Sequence, residues 1–435
     1  MAVLWNEENA AHLYRRAAFG GTGEEIRRAV DEGLDAAVDR LIFYEYTPNG
    51  ALDTRIAAEE LYLASDGKLS DLARWFVLRM IFTARPLEER MTFLWHDHFA
   101  TGYGKVLNLA WMKTENDTIR GQALGTFRGL LTAVAKDPAM EWYLDQWVST
   151  RTTPNENFGR ELLELFTLGV GNYAESDVKA AVMSFTGWSI DGTLSTFRFN
   201  ADQHDTGDKT FLGRTGNWDG DDVIRMICGE LSHGRRIASK VFSYFAYDNP
   251  EPEVIDRFAR VYLDSDTNLR VLVRAILTSD EMYSARALWT KVKSPVDHVV
   301  MATRQLLLPD DVPNAFQYLV QGGQTPFDPP DVSGWQGGTS WISPSALLNR
   351  MNFADAVTRV FDPVAFAEGV AIATPSDLVD LYLRRLGPVS IPAATRQTLM
   401  QYVAPDGALP SGATLVRRQR GLARMVLSLP EWQMY

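Results

Sequence analysis

Cysteine is almost missing from this chain. Cys228 is the single one among 435 residues, which excludes an intrachain disulfide and any zinc site built from several thiolates. Long apolar runs are missing too. None reaches the roughly 18–20 residues that span a bilayer, and the best candidate, 72–82, is interrupted by Arg74 and Arg79. Basic residues are outnumbered, 43 Lys and Arg against 55 Asp and Glu, for a net charge of −12. That balance opposes a phosphate backbone, so no nucleic-acid partner is expected. The opening residues, Met1 to Glu8, carry no positive region followed by an apolar stretch. No signal peptide is therefore expected and the expected compartment is the cytoplasm, with export on a signal-bearing partner as the other route. Motifs are also lacking: there is no Gly-x-Ser-x-Gly elbow, Walker-type phosphate loop, Gly-x-Gly-x-x-Gly or His-Glu-x-x-His. The nucleophile-elbow, nucleotide-binding and zincin readings therefore have no support.

What the chain does have is core material, 46% apolar residues, arranged mostly at helical spacing. Thr22 and Glu25 predict a capping box opening a helix over 24–41. Ser70 predicts the cap of a helix over 71–84, and Pro86 suits the first turn of the next, running through Trp95. Further helices are predicted at 106–121, 125–136, 156–168, 175–187, 220–230, 233–247, 251–264, 268–278 and 295–308, then at 345–361, 375–385, 391–403 and 412–428. Ser294-Pro295, Ser343-Pro344 and Thr374-Pro375 each place a cap before a proline, a helix-start signal. Strand signals are few: 194–199 alternates after the Asp191-Gly192 turn and is expected to pair with Ser189-Ile190. The expected fold is all-α, an irregular multi-helix array with one small hairpin near 189–199. Two long loops, 200–221 and 322–345, are of the kind that carries function. The chain reads as one domain over 1–435 or as two helical subdomains, 1–290 and 291–435. The second reading rests on an echo between 272–281 and 422–431, each an amphipathic helix followed by a small residue and an acid.

Several segments carry a family resemblance. They are His12-Leu13-Tyr14-Arg15-Arg16-Ala17-Ala18-Phe19-Gly20, Phe93-Leu94-Trp95-His96-Asp97-His98-Phe99, and the run from Asn155-Glu156-Asn157-Phe158-Gly159-Arg160-Glu161 through Glu164 to Gly169. Tyr173, Glu175, Asp177-Val178 and Phe185-Thr186-Gly187-Trp188 follow, then His204-Asp205, Lys209 to Gly213, Lys291 to Pro295, Gly334-Trp335, Trp341-Ile342 and Arg350-Met351-Asn352. Together they resemble the bacterial family catalogued as domain of unknown function 1800, over nearly the whole chain and in order. The resemblance brings no activity with it. It implies a partner similar to alkaline phosphatases or sulfatases, whose genes often adjoin those of the family.

Three polar segments could carry chemistry. Glu161 and Glu164, three apart, share a helix face with Asn157, beside the apolar Phe158, Leu162, Leu165 and Phe166. Carboxylates at such an edge suit metal ligation or general acid–base work. They equally suit structural pairing, Glu156 and Glu164 with Arg160 along the helix, or the carboxylates with Arg15, Arg16 or Lys179 from elsewhere in the fold. His96 and His98 point apart on a continuous helix and to one side if the helix stops at His96, as Thr101 to Gly104 would allow. His204-Asp205 lies in a loop with Lys209 nearby. Metal candidates are thus His96, His98, Glu161, Glu164 and His204, enough for one divalent Zn, Fe or Mn ion if they converge. Acid–base candidates are Glu161, Glu164, His204 and Asp205, with Arg16, Asn155, Glu156, Asn157, Arg160, Lys209 and Trp335 as supporting polar positions. Cys228 sits in an amphipathic helix and reads as a packed small hydrophobe. Three functions follow as expectations: a metal-assisted or acid–base enzyme (hydrolase or oxidoreductase), a non-catalytic scaffold or secretion partner, and a glycan-binding module using Trp335 and Trp341.

Overall fold

The structure, a computed structural model, describes residues 3–387 and 390–435; Met1 and Ala2, where the leader expectation begins, lie outside them. The first helices are α1 (Glu7–Ala17), α2 (Gly23–Glu32), α3 (Leu34–Ile42), α4 (Gly50–Asp66), α5 (Leu69–Phe82) and α6 (Pro86–His98). Next come α7 (Tyr103–Val106), α8 (Leu109–Gln122), α9 (Phe127–Ala135), α10 (Pro138–Tyr143), α11 (Asn157–Glu161) and α12 (Glu175–Phe185). Two hairpins separate these from α13 (Gly220–Cys228), α14 (Leu231–Phe245), α15 (Pro252–Asp264), α16 (Leu269–Leu277) and α17 (Pro295–Gln305). The chain closes with α18 (Ala315–Gln321), α19 (Pro344–Val360), α20 (Pro363–Phe366), α21 (Pro375–Arg385), α22 (Ala393–Val403) and α23 (Gly412–Leu427). The fold is mostly α, as the periodicity predicts, and no described helix is long and apolar enough to cross a membrane.

Local chemistry sets the boundaries. Thr22 and Glu25 form the capping box, and Ser294 and Thr374 cap α17 and α21 through boxes with Asp297 and Asp377. The single helix predicted over 24–41 is two, because Gly33 turns to φ 85° between α2 and α3. The left-handed region carries no penalty there for glycine. Helix α5 starts before Ser70: Asp71 accepts from the Lys68 N–H at 2.9 Å and fixes the start two residues earlier. The expected hairpin pairs β1 (Trp188–Asp191) with β2 (Thr196–Phe199), antiparallel. The loop over 200–221 holds a second hairpin, β3 (Lys209–Phe211) with β4 (Arg214–Gly216), too short to leave a run that the sequence pattern would reveal.

Buried hydrophobics fall into two clusters. One gathers α1 to α3, most of α6, and residues from Ile119 to Ala287, with Trp95, Phe99, Phe127 and Phe166 near its middle. The other gathers α4, α5 and α17 to α23 around Trp75, Phe76, Phe353, Tyr382 and Trp432. Helices α16 and α23 each run into a 3₁₀ turn, Asp280–Tyr283 and Glu431–Gln433, whose Met282 and Trp432 are fully buried in the two clusters. Helix α6 crosses between the clusters, with Phe93 in one and Trp95 and Phe99 in the other. Its C-terminal end carries the first candidate motif.

Candidate functional site

Helix α6 runs through His98 without a break. Residues two apart on a helix lie about 200° apart in projection, so His96 and His98 face different surroundings. His96 lies between Phe76 and Phe327, ring centroids 5.6 and 4.7 Å away. Its Nε2 accepts the Phe327 N–H at 3.0 Å, which leaves the ring proton on Nδ1. Burial, reinforced by Arg120, pushes its pKa down to about 3. His98 packs on Phe99 and Phe166 and lies 3.0 Å through Nε2 from the Phe166 carbonyl. A carbonyl only accepts, so His98 donates from Nε2. Burial, with Lys240 and Arg236 nearby, holds its pKa well below the usual range. Both rings are therefore neutral. Between them, Asp97 accepts the Trp335 N–H through Oδ1 at 2.9 Å and lies 3.7 Å from Lys240 Nζ. Gly334 makes this docking possible: a Cβ there would sit 2.5 Å from Asp97 O, and its φ is +81°.

The Glu-rich segment is not one α-helix. Helix α11 passes at Leu162 into a π-helical turn, Leu162–Thr167. Such turns redirect backbone carbonyls and are frequent at functional sites. The freed carbonyls are captured from outside. Arg236 donates to Leu165 O from Nε at 3.1 Å and from Nη2 at 2.7 Å. His98 takes Phe166 O, and the Thr167 hydroxyl takes Leu162 O. His98 and Arg236 thus hold the distortion that presents the two glutamates.

Glu161 is half-buried and accepts no hydrogen bond from a described residue. Burial raises its pKa, Glu164 and Asp331 add to the rise, and Arg160 opposes it. Glu164 accepts from the Tyr173 hydroxyl at 3.2 Å and is the acidic neighbour of Arg236. Arg236 and Lys240, one turn apart on α14, line an open groove of about 930 Å³ with Ser232, Ser239 and Ser243. Segments 96–98, 161–164 and 331–335 therefore meet at one place, with α14 supplying two cations that the sequence pattern did not single out.

The third segment stays apart. His204 lies 2.8 Å through Nδ1 from Thr186 O and packs on Phe199. The Asp205 N–H donates to the Thr186 hydroxyl. Lys209 donates to the Asp205 and Gly207 carbonyls at 2.8 Å each. These contacts close the loop upon itself, and no hydrogen bond or ion pair among the described residues joins it to Glu161 or Glu164. The five metal candidates accordingly share no centre: among the described residues, no group of three or more His, Cys, Asp or Glu side chains is disposed to hold a metal ion. His96 Nε2 is already spent on a backbone N–H.

The remaining motif positions shape the entrance to α11. Asn155 accepts the Asn157 N–H, and Asn157 donates to Asp145. Arg160 pairs with Glu156 at 3.4 Å and Glu175 at 2.8 Å; the pairing with Glu164 does not form, because the π turn carries Glu164 toward Tyr173. Trp341 is buried, and Trp335 lies 6.0 Å from the His96 ring. Cys228 is buried with its thiol pKa pushed up to about 12. Arg16 lies elsewhere, in a buried cationic cluster discussed below. Sequence reasoning missed a cluster of buried acids, Glu115 on α8 with Asp137 and Glu141 at α10. Burial raises the pKa of all three. Their one visible signal is Asp137 placed as the cap before Pro138, with Glu141 four residues on.

These features define a predominantly helical protein whose candidate site is a π-distorted, glutamate-bearing turn held by histidine and arginine. The chain belongs to the family described as Protein of unknown function (DUF1800), which matches residues 12–434. No curated protein and no solved structure matches it.

Proposed function

We propose that the chain is an acid–base enzyme, a hydrolase of anionic esters, working at the cleft of Glu161, Glu164, Arg236 and Lys240. The observation that carries the reading is Glu161: a half-buried carboxyl without a hydrogen-bond partner among the described residues, its pKa raised, just before a π turn whose Glu164 neighbours Arg236. Such a carboxyl holds a proton further toward neutral pH than an exposed one and can deliver it to a leaving group. Glu164, next to Arg236 and Tyr173, is the natural partner base. Arg236 and Lys240 face the open groove and suit a substrate bearing negative charge.

The test is turnover of p-nitrophenyl phosphate, sulfate and acetate by the wild type, Glu161→Gln and Glu164→Gln. Loss of a general acid costs roughly 10²–10⁴-fold in rate, so Glu161→Gln should lose that much of the wild-type rate on the substrate turned over, with its Tm little changed. An unchanged rate in the variant would remove Glu161 from the chemistry.

A second reading has its own support. His98, Arg236 and Lys209 are all spent on backbone carbonyls, as expected if the motifs serve to fix a scaffold for a phosphatase- or sulfatase-like partner. Stoichiometric co-purification with such a partner, together with full retention of that complex by Glu161→Gln, would favour it.

A further inference from the structure

The C-terminal turn of α1 places two consecutive arginines in the protein interior, Arg15 at 1% and Arg16 at 0% exposure. Around them lie three more buried cations: Arg90, Lys293 and Arg350. Against these stands one buried carboxylate, Asp297, and it is fully used. Its oxygens take the Arg90 guanidinium, the Ser294 N–H and hydroxyl, and the Tyr435 hydroxyl. Lys293 donates to Trp432 O, and Arg350 to Lys293 O and Gln433. Of the other nearby acids, Asp248 pairs with Lys291, and Glu8 is exposed on α1.

Arg15 has no such arrangement. Its Nε, Nη1 and Nη2 are all buried, and none has a hydrogen-bond partner among the described residues. Its guanidinium rests 3.9 Å over the Trp289 ring, a contact that offers no acceptor in the plane of the fork. Arg16 reaches Ala287 O through Nη2, while its Nε and Nη1 are likewise buried and unpartnered. Trp289 is a third residue here with a buried donor, Nε1, that has no acceptor among the described residues. Arg15, Trp289 and Gln305 are neighbours beside Gly387: the Arg15 stem (Cδ), the Trp289 ring edge (Cη2) and the Gln305 amide nitrogen all lie 3.6–3.7 Å from where a Cβ of Gly387 would stand. Native interiors rarely leave buried donors unmatched, and an unmatched charge is costlier still. A row of unmatched cationic donors with no spare carboxylate calls for an anion from outside the chain.

We propose that the Arg15–Arg16 cluster is a binding site for a small tetrahedral oxyanion of the phosphate class, held by the Arg15 fork with Trp289 Nε1 as a neutral donor. The Arg15 fork has three free nitrogens, more than the two oxygens of one carboxylate accept from it at good geometry, and its planar, permanently charged array suits the several oxygens of such an ion. Gln305 Oε1 is also buried and unpartnered; the O–H of hydrogen phosphate supplies the donor it lacks. Full burial favours the free ion over a phosphoryl group carried on a larger molecule. The site is separate from the Glu161 cleft and does not depend on its reading.

The experiment uses the full chain purified without phosphate and dialysed into chloride. Inorganic phosphate titrated at constant ionic strength should raise the Tm with the logarithm of its concentration above Kd, by on the order of 2–4 °C at a hundredfold excess. Phosphate released on denaturing protein loaded with it and freed of excess should approach one per chain. Arg15→Met keeps an apolar stem against Trp289; it should match or exceed the wild-type Tm in chloride and lose the phosphate response. A wild type indifferent to phosphate, or an Arg15→Met variant that responds as the wild type does, would overturn the proposal. If the variant fails to fold, the wild-type titration and the bound-phosphate measurement still decide.

Discussion

Asp297→Asn is expected to lower the stability of the folded chain by about 3–5 kcal/mol, the usual cost of leaving one partner of a buried ion pair uncompensated. Asparagine keeps the shape and one acceptor for the Ser294 cap, so the loss reports charge and not volume. Asp297 and Arg90 are both buried, and the Arg90 guanidinium also donates to Arg16 O and the Tyr435 hydroxyl. The pair therefore ties α6, α1, α17 and the chain end together. Burial pushes the Asp297 carboxyl up, but Arg90 and the Ser294 donors pull it further down, so its net pKa lies below the ordinary value. A carboxylate depressed in the folded state contributes stability above its unfolded pKa, and that contribution is lost as pH falls through the folded one. Denaturant unfolding at pH 7 should show the full deficit of Asp297→Asn, and the gap to wild type should narrow below about pH 4. The double variant Arg90→Met/Asp297→Asn should recover part of the loss, since it no longer buries a lone charge.

Glu141→Gln should act in the opposite direction and with the opposite pH dependence. Both Glu141 oxygens are buried without a partner, and burial, then Asp137, pushes its pKa up to about 9 from an ordinary 4.5. The unfolded chain releases this proton near 4.5 while the folded chain keeps it to about 9. The group's contribution is therefore fully favourable below 4.5 and erodes as pH rises to 9, by at most about 1.4 kcal/mol for each pH unit. Glutamine removes the titration. The variant should match wild type near pH 5 and exceed its Tm at pH 8.5, by several degrees on the order expected for a few kcal/mol. Equal Tm values at both pH values would mean that Glu141 ionises in the fold as it does in water.

Legibility divides by the range of the interaction involved. Caps are local: Thr22, Ser294, Ser343 and Thr374 announce their helices because the donor and acceptor lie within four residues. Gly33 is legible as a possible stop only once its φ is known, since glycine also sits inside helices. The π turn was not legible, because Leu162–Thr167 has the composition of an ordinary amphipathic helix. What makes it π is long-range: the Arg236 fork on Leu165 O and His98 on Phe166 O, from residues about 70 positions away. For the same reason the sequence pointed to Glu161, Glu164 and the 96–98 segment as candidates, but could not show that His96 accepts from the Phe327 N–H while His98 braces the turn. Spacing also could not reveal Arg236 and Lys240, which look like an ordinary solvated helix face. His204 lies in the loop where the sequence places it, but the second hairpin and the His204 contact to Thr186 O come from pairings that a Gly- and Asp-rich stretch does not announce.

Glu161 is a carboxyl perturbed first by burial and then by the neighbouring Glu164 charge. The direct measurement is an NMR pH titration of ¹³C-labelled glutamate side chains, with the Glu161 signal assigned from its absence in Glu161→Gln. The account predicts a Glu161 pKa above the ordinary 4.5, moving down in Glu164→Gln as the neighbouring charge is removed. A Glu161 signal that titrates at or below 4.5 and does not move in that variant would contradict it.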